Sequence, residues 1–290
     1  MTSLGAVFQP TSPPEALLGA ARRAEAAGLD ELWVWEDCFK ESGIATMTAA
    51  LGATERIRIG VGILPMPLRN VALTAMEVAT IARLFPDRAR FGVGHGVLDW
   101  MGQAGARVAS PLTLMREYVP ALQRLLAGEE VTVEGRYVRL DRVRLAWPPA
   151  AAVPVLAGGE GPKTLALTGE VADGTVLVMG MPPRLVRAAV DTATRARADA
   201  GRSGDHEVVV SLLTDLGPGG AERMAAELDA WGLEGERRFA ATGDDDAVAA
   251  VVHDLVDAGA TTVLLQARTT DQDLDGFLDG AGRIRALLGD

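Results

Sequence analysis

The sequence predicts an α/β fold, an eight-stranded (β/α)8 TIM barrel, and three observations support it. Short apolar segments alternate with Ala-rich segments of helical periodicity along the 290 residues. Eight such units fit a closed barrel of parallel strands, and a barrel of this length usually forms one domain, here residues 1–290. The glycines, acids and histidine that stand out fall at strand ends, where barrels carry their chemistry.

The predicted strands are short and apolar throughout, as expected when both faces of a strand are buried. They are Leu4–Phe8, Glu31–Trp35, Ile57–Ile63, Ala89–Gly94, Val153–Ala157, Gly174–Val178, Glu207–Leu213 and Thr261–Gln266. An open, doubly wound sheet is the alternative. Its glycine fingerprint usually follows the first strand, where this chain has Gln9-Pro10 instead.

A predicted helix follows each strand, and the first has Ser12 as its expected N-cap and Gly28 as its C-cap. The predicted helices are Pro13–Gly28, Ile44–Leu51, Asn70–Phe85, Pro111–Ala127, Pro162–Gly169, Pro183–Ala200, Asp244–Gly259 and Leu274–Leu288. Asp99–Ser110 is predicted to be a loop, and Gly217–Ala241 a polar, partly helical excursion. Glu130–Leu145 alternates with period two around a Glu-Gly turn, which predicts an inserted β-hairpin before strand five.

Composition excludes several classes of function. The net charge of −11 argues against a nucleic-acid surface, which needs clustered Lys and Arg. Cys38 is the only cysteine, and His95, His206 and His253 lack ligand spacing, so no disulfide and no metal site are predicted. No signal peptide and no run of about 20 apolar residues is visible, which predicts a soluble cytoplasmic protein without a membrane span.

The most informative stretch is Val153–Thr164, which reads V-P-V-L-A-G-G-E-G-P-K-T. An apolar strand enters the turn Gly158–Gly161, and Pro162 is well placed to open a helix. Glycines let backbone N–H groups approach a ligand, and a helix N-terminus carries partial positive charge. The stretch therefore predicts an anion cradle, most often for phosphate. A tight turn whose glycines only satisfy the backbone is the alternative.

Five segments resemble, in order and spacing, the luciferase-like flavin and deazaflavin oxidoreductases, and the resemblance covers nearly the whole chain. They are A-G-L-D-E-L-W-V-W-E-D (27–37), R-I-R-I-G-V-G-I (56–63), L-F-P-D-R-A-R-F-G-V-G-H-G (84–96), G-E-E-V-T-V-E-G-R-Y-V-R-L (128–140) and V-P-V-L-A-G-G-E-G-P-K-T-L-A-L-T-G-E-V-A-D-G (153–174). L-F-P-D-R and G-V-G-H-G are closer to the deazaflavin-dependent branch. The resemblance therefore implies coenzyme F420 as cofactor, with FMN as the alternative.

The resemblance also implies a cofactor site. By position, the phosphate would bind at the turn after strand five and the helix that follows it. A β-bulge with a non-proline cis peptide at Gly62-Ile63 would lie behind the ring. The implied cofactor-binding residues are Gly62, Ile63, His95, Gly96, Ala157, Gly158, Gly159, Gly161, Pro162 and Val178.

Reduction of a C=N, C=C or C=O bond by hydride requires a proton donor near the substrate. The candidates at strand ends are Glu36, Asp37 and His95. Adjacent carboxylates repel each other, so the pKa of Glu36 or Asp37 is expected to rise. The resemblance makes Asp37 the first candidate, with Glu36 orienting Asp37 or the ring. Alternatively, both acids cap the helix that follows.

The substrate pocket is expected to include Trp35, Asp99 and Trp100. Of Trp33 and Trp35, which lie on one predicted strand, one is expected to pack against helices and the other to face the barrel mouth. The 217–241 excursion would shape the pocket further.

The resemblance implies an F420-dependent oxidoreductase that moves a hydride to or from a small organic substrate, and a homodimer. An FMN-dependent monooxygenase using reduced flavin and O₂ is the first alternative. A non-redox barrel enzyme acting on a phosphorylated substrate is the second. It is disfavoured because no predicted strand carries a lysine at its C-terminal end.

Overall fold

Eight parallel strands close into a barrel in the computed structural model, which describes residues 2–270 and 273–289. Within those residues the strands are β1 (Ser3–Phe8), β2 (Glu31–Val34), β3 (Arg58–Pro65), β4 (Ala89–Gly94), β5 (Val131–Glu134), β6 (Arg139–Val143), β7 (Val155–Gly159), β8 (Gly174–Leu177), β9 (Glu207–Leu216), β10 (Ala241–Gly243) and β11 (Thr262–Gln266). The barrel order is β1-β2-β3-β4-β7-β8-β9-β11, and β11 pairs with β1 to close the ring. The predicted barrel is confirmed.

Helices surround the barrel. In the described part of the chain they are α1 (Leu17–Ala26), α2 (Gly43–Ala53), α3 (Val71–Leu84), α4 (Leu98–Gln103), α5 (Pro111–Leu126), α6 (Pro162–Val171), α7 (Pro183–Asp199), α8 (Gly220–Ala230), α9 (Asp245–Asp257) and α10 (Leu274–Leu288). The predicted N-cap at Ser12 is wrong, because a 3-10 turn over Pro14–Ala16 precedes α1 and ends at its start. Gly28 does end that helix, with φ +83° directly after the C-cap Ala27.

The two predicted interruptions of the barrel pattern are present. β5 and β6 form an antiparallel hairpin before β7, the fifth barrel strand. The 217–241 excursion contains α8 and is partly helical, as predicted, but β9 runs three residues further than expected because β10 pairs with its end. The segment predicted as a loop from Asp99 to Ser110 begins inside α4, where Met101 is fully buried.

Three sequence predictions concern the chain as a whole. The single domain predicted over residues 1–290 includes Met1, Asp271, Gln272 and Asp290, which lie outside the described residues. Across residues 2–270 and 273–289, none of the helices combines the length and apolar character that crossing a membrane requires. In the same ranges, His, Cys, Asp and Glu side chains form no group of three that could hold a metal ion.

Trp33 is packed inside the barrel. It is 1% exposed and packs with Val7, Leu156, Val209 and Leu264. Trp35 packs against the same cluster, so the expectation that the two indoles face opposite sides is wrong. Residues two apart on a strand share a face, and both side chains point into the barrel.

Glycines in β3 make room for this indole. A Cβ on Gly60 would overlap the Trp33 ring, and one on Gly62 would lie 2.9 Å from it. The indole Nε1 donates a 2.6 Å hydrogen bond to the buried carboxylate of Glu31, which is also paired with Arg58 at 2.9 Å. The indole is therefore fixed by close packing against β3 and by a polar network through Glu31.

Candidate active site

A cavity of about 520 Å³ lies at the carboxyl ends of the barrel strands, a size typical of ligand pockets. Most of the predicted site residues line it, although they come from distant parts of the chain. These are Trp35, Glu36, Asp37, Gly62, Ile63, His95, Gly96, Trp100, Gly158, Gly159, Gly161 and Val178. The sequence analysis did not single out the other lining residues, although Glu160 and Thr164 lie in the predicted Val153–Thr164 stretch and Trp231 in the 217–241 excursion. They are Pro65, Val97, Glu160, Thr164, Val176, Leu177, Met179, Ser211 and Trp231.

Three predicted residues are not part of the cavity wall. The Ala157 side chain is fully buried in the core between β7 and the helices, because its neighbours Leu156 and Gly158 take the barrel-facing positions. Pro162 is exposed as the first residue of α6. Asp99 is exposed in the first turn of α4, which directs Trp100 rather than Asp99 to the cavity.

One wall of the cavity is formed around Ile63. The register of β3 against β4 shifts between Val61 and Leu64, and the Gly62–Ile63 peptide is cis, so the bulge and the cis bond implied by the resemblance are confirmed. A second cis peptide, not predicted, joins Cys38 to Phe39.

Glycines on the neighbouring strands make room for the Ile63 side chain. A Cβ on Gly94 would lie within 2.5 Å of Ile63 Cδ1, and a Cβ on Gly158 would lie 3.4 Å from Ile63 Cγ2. This wall is therefore apolar, and the neighbouring glycines place no side chain over it, which suits the face of a planar ring.

The glycine-rich turn leaves the start of α6 open. Gly161 is the N-cap residue and supplies no side-chain cap, while its carbonyl accepts the N–H groups of Thr164 and Leu165 at 2.9 Å. A Cβ on Gly161 would meet nothing within 4 Å, and none of Gly158, Gly159 and Gly161 has positive φ. Glycine thus provides space here rather than an unusual backbone conformation, and no side chain caps the start of α6.

His95 has no hydrogen-bond partner for either ring nitrogen among the described residues, although both atoms are buried. Burial lowers the pKa of His95, so the imidazole is neutral near pH 7 and offers one donor and one acceptor. Buried polar atoms without partners are rare in native proteins. Because His95 lines the cavity, its two nitrogens suit a ligand that carries both hydrogen-bonding functions.

Asp37 is half-buried at the cavity wall. Burial raises the pKa of Asp37, and the nearby Lys40 offsets part of that rise. The expected rise in pKa is therefore confirmed in direction for Asp37, but its cause is burial rather than repulsion from Glu36.

Glu36 is held by partners other than Asp37. Arg69 donates to both of its carboxylate oxygens, at 2.6 and 3.2 Å, and to both oxygens of Glu77 at 2.9 Å. The side chains of Arg69 and Glu36 are only 13% and 9% exposed. Glu36 also accepts the N–H of Gly43, the first residue of α2, at 2.7 Å. The alternative role for the pair, capping the following helix, is thus confirmed for Glu36, whereas orientation of Asp37 by Glu36 is not seen.

Two tryptophans that line the cavity contact each other. Trp35 and Trp231 meet edge to face, with ring centroids 6.4 Å apart and planes at 82°. Trp231 Nε1 donates to Glu227 at 2.9 Å, and Glu227 accepts the backbone N–H of Thr269 at 2.8 Å, which ties the excursion to the segment after β11. The excursion does shape the pocket, but no motif marked Trp231 in the sequence.

Comparison with known proteins agrees with this geometry. The family model of luciferase-like monooxygenases matches residues 2–232. The chain is 31% identical over 200 residues to a 5,10-methylenetetrahydromethanopterin reductase of Methanolobus tindarius. The matched region covers 69% of this chain and 61% of that protein, so the chain spans less than two thirds of the length of this relative. It is 27% identical over 303 residues to an F420-dependent glucose-6-phosphate dehydrogenase of Kineococcus radiotolerans, covering 89% of each chain.

Among solved structures, an F420-dependent secondary alcohol dehydrogenase in complex with an F420-acetone adduct superimposes with a TM-score of 0.87. The superposition covers 100% of this chain and 99% of that one at 21% identity, so the similarity is one of fold. The family model extends over most of the residues that build the barrel and its cavity. The chain belongs to the luciferase-like monooxygenase family.

Proposed function

We propose that this protein is an oxidoreductase that transfers a hydride between coenzyme F420 and a small organic substrate with a C=N, C=C or C=O bond. The observation that carries the proposal is the coexistence, in one cavity, of an uncapped helix N-terminus beside three glycines and an apolar wall at Ile63. The first suits a phosphate and the second suits a planar ring. The F420 dependence of the Kineococcus radiotolerans relative supports the choice of cofactor.

The chain's residues would divide the work as follows. Backbone N–H groups of the 158–161 turn and of the start of α6 would hold the phosphate. Gly62, Ile63, Gly96 and Val178 would contact the ring system, and the neutral His95 would hydrogen bond to it. A bound deazaflavin supplies or accepts the hydride.

Asp37 is the group that we propose delivers or takes the accompanying proton at its carboxyl oxygen. Its raised pKa keeps a larger fraction of the carboxyl protonated near neutral pH than an exposed aspartate would have. The lowered pKa of His95 makes that imidazole a weaker candidate for the acid, and Glu36 is engaged by Arg69 and Gly43. Trp35, Trp100 and Trp231 enclose the substrate and exclude water.

The alternatives differ in cofactor and in chemistry. An FMN-dependent monooxygenase is compatible with the same cavity, and the family description names monooxygenases. A non-redox enzyme working through a Schiff base has less support, because none of the described residues that line the cavity is a lysine.

The charges around the cavity bear on the substrate. Glu36, Asp37 and Glu160 line it and, in the described part of the chain, neither Lys nor Arg does. We therefore propose an uncharged or cationic small molecule as the substrate. The homodimer and the cytoplasmic location stay predictions.

Equilibrium titration with F420 and with FMN, followed by fluorescence, tests the proposal. F420 is expected to bind with micromolar or tighter affinity and FMN more weakly. Gly158→Val is expected to weaken F420 binding about tenfold or more, since its methyl groups would enter the cavity beside Ile63 and displace the ring. Gly52→Ala, on α2, is the control, because its added Cβ would meet nothing within 4 Å. Micromolar binding of FMN without binding of F420 would refute the choice of cofactor.

A further inference from the structure

An ion pair joins the excursion to the glycine-rich turn. Arg237 lies in a 3-10 turn, Gly235–Arg237, between α8 and β10. Its Nη1 donates to Glu160 Oε1 at 2.5 Å, and its Nη2 donates to the carbonyl of Met179 at 2.7 Å. Glu160 and Met179 line the cavity at the ends of β7 and β8. Arg237 therefore lies against the turn that is proposed to receive the phosphate.

The charge of Glu160 conflicts with a phosphate site. A carboxylate in the turn repels an incoming phosphate. Lys and Arg are missing from the cavity lining over the described residues, and Lys163, in the first turn of α6, is exposed to solvent. Arg237 is in direct contact with Glu160 and can both offset its charge and attract an anion.

Arg237 is held more firmly than its partner. Its side chain is 27% exposed, whereas that of Glu160 is 61% exposed. Gly180 adopts φ +76°, and a Cβ there would lie 2.5 Å from the Arg237 carbonyl, so the backbone of Arg237 packs closely against the segment after β8. Glu160, by contrast, can turn toward solvent without disturbing a packed contact.

Arg237 also has unused capacity for hydrogen bonds. Its Nε is buried and has no partner among the described residues. A guanidinium presents several donors in a fixed fork, and that geometry matches phosphate as well as it matches carboxylate.

We infer that Arg237 binds the phosphate of the cofactor. Before the cofactor binds, Glu160 holds the Arg237 guanidinium at the rim of the turn, and the phosphate then replaces Glu160 as its partner. The inference rests on the proposed function, because it requires a phosphorylated cofactor. It adds a contact from the excursion to a site otherwise built from the turn after β7 and the start of α6.

The test compares each chromophore with and without its phosphate, namely F420 with its phosphate-free deazaflavin and FMN with riboflavin. Arg237→Ala is expected to weaken the phosphorylated form about tenfold or more, as loss of a charge-assisted hydrogen bond should, and to leave the phosphate-free form unchanged. Glu160→Gln is expected to tighten the phosphorylated form severalfold. Arg237→Lys, which keeps the charge but loses the fork, is expected to fall between wild type and Arg237→Ala.

Arg238→Ala is the matched control. Arg238 is adjacent in sequence, and it bonds Asp229 and the carbonyl of Ala225 within the excursion. Its loss should change affinity for neither form. If Arg237→Ala loses affinity equally for the phosphorylated and the phosphate-free chromophore, or for neither, the inference is overturned. If Glu160→Gln binds the phosphorylated chromophore more weakly than wild type, the exchange of Glu160 for phosphate is overturned. Wild-type protein that binds neither chromophore overturns the proposed function as well, whereas tight wild-type binding unaffected by Arg237→Ala overturns this inference alone.

Discussion

Replacing Asp37 with asparagine is expected to lower turnover by about 10²-fold or more while cofactor affinity stays at the wild-type value. Asparagine keeps the shape of the side chain and part of its hydrogen bonding, but it has no acidic proton. Burial raises the pKa of Asp37, so the protonated form persists to higher pH than in an exposed aspartate. If Asp37 donates the proton, the wild-type rate falls as pH rises through this raised pKa, and Asp37→Asn loses that dependence.

The measurement is single-turnover oxidation of the reduced cofactor, followed by its fluorescence, with a substrate found by screening imines, ketones and activated alkenes. His95→Asn serves as the comparison, because burial lowers the pKa of His95 and a neutral imidazole is a poor acid near pH 7. Near-normal turnover in Asp37→Asn together with a large loss in His95→Asn would assign the proton donor to His95 instead.

Replacing Arg69 with methionine is expected to lower the free energy of unfolding by about 3–5 kcal/mol, the usual cost of removing one partner from a buried ion pair. Arg69 bridges Glu36 and Glu77, whose side chains are 9% and 21% exposed. Without the guanidinium, two largely buried carboxylates lose their counter-charge. Glu36 would keep only the N–H of Gly43, and the segment that carries Asp37 would lose its anchor.

Urea denaturation monitored by circular dichroism would measure this effect. Arg116→Met is the matched control, because Arg116 pairs with Glu170 at 58% and 37% exposure, and exposed pairs contribute at most about 1 kcal/mol. Replacing Glu36 and Glu77 with glutamine in the Arg69→Met background should recover part of the loss. Equal destabilisation by Arg69→Met and Arg116→Met would show that the buried cluster does not stabilise the fold.

The barrel and the position of the site could be predicted from the sequence because both depend on local patterns. Strand and helix periodicity sets the order of elements, and parallel strands bring all their carboxyl ends to one edge. Gly158 and His95 could therefore be assigned to the same mouth although 62 residues of chain, including a hairpin, lie between them.

Contacts between distant segments could not be predicted in the same way. The pairing of Glu36 with Arg69 and of Glu160 with Arg237 depends on how loops pack. The sequence does not indicate which of the many charged residues will pair with each other. Trp231 lies at the end of α8, a polar helix whose sequence does not reveal which side faces the barrel. The cause of the raised pKa of Asp37 could not be predicted from the sequence either, because the rise depends on how deeply the folded chain buries this side chain.

A crystal structure of the protein with bound F420 would show how the cavity holds the cofactor. We expect the phosphate within hydrogen-bond distance of backbone N–H groups in the 158–161 turn and at the start of α6. We also expect the deazaflavin ring against Gly62 and Ile63, with Asp37 beyond its open face. A phosphate bound away from this turn, or a ring bound outside the cavity, would refute the proposed site.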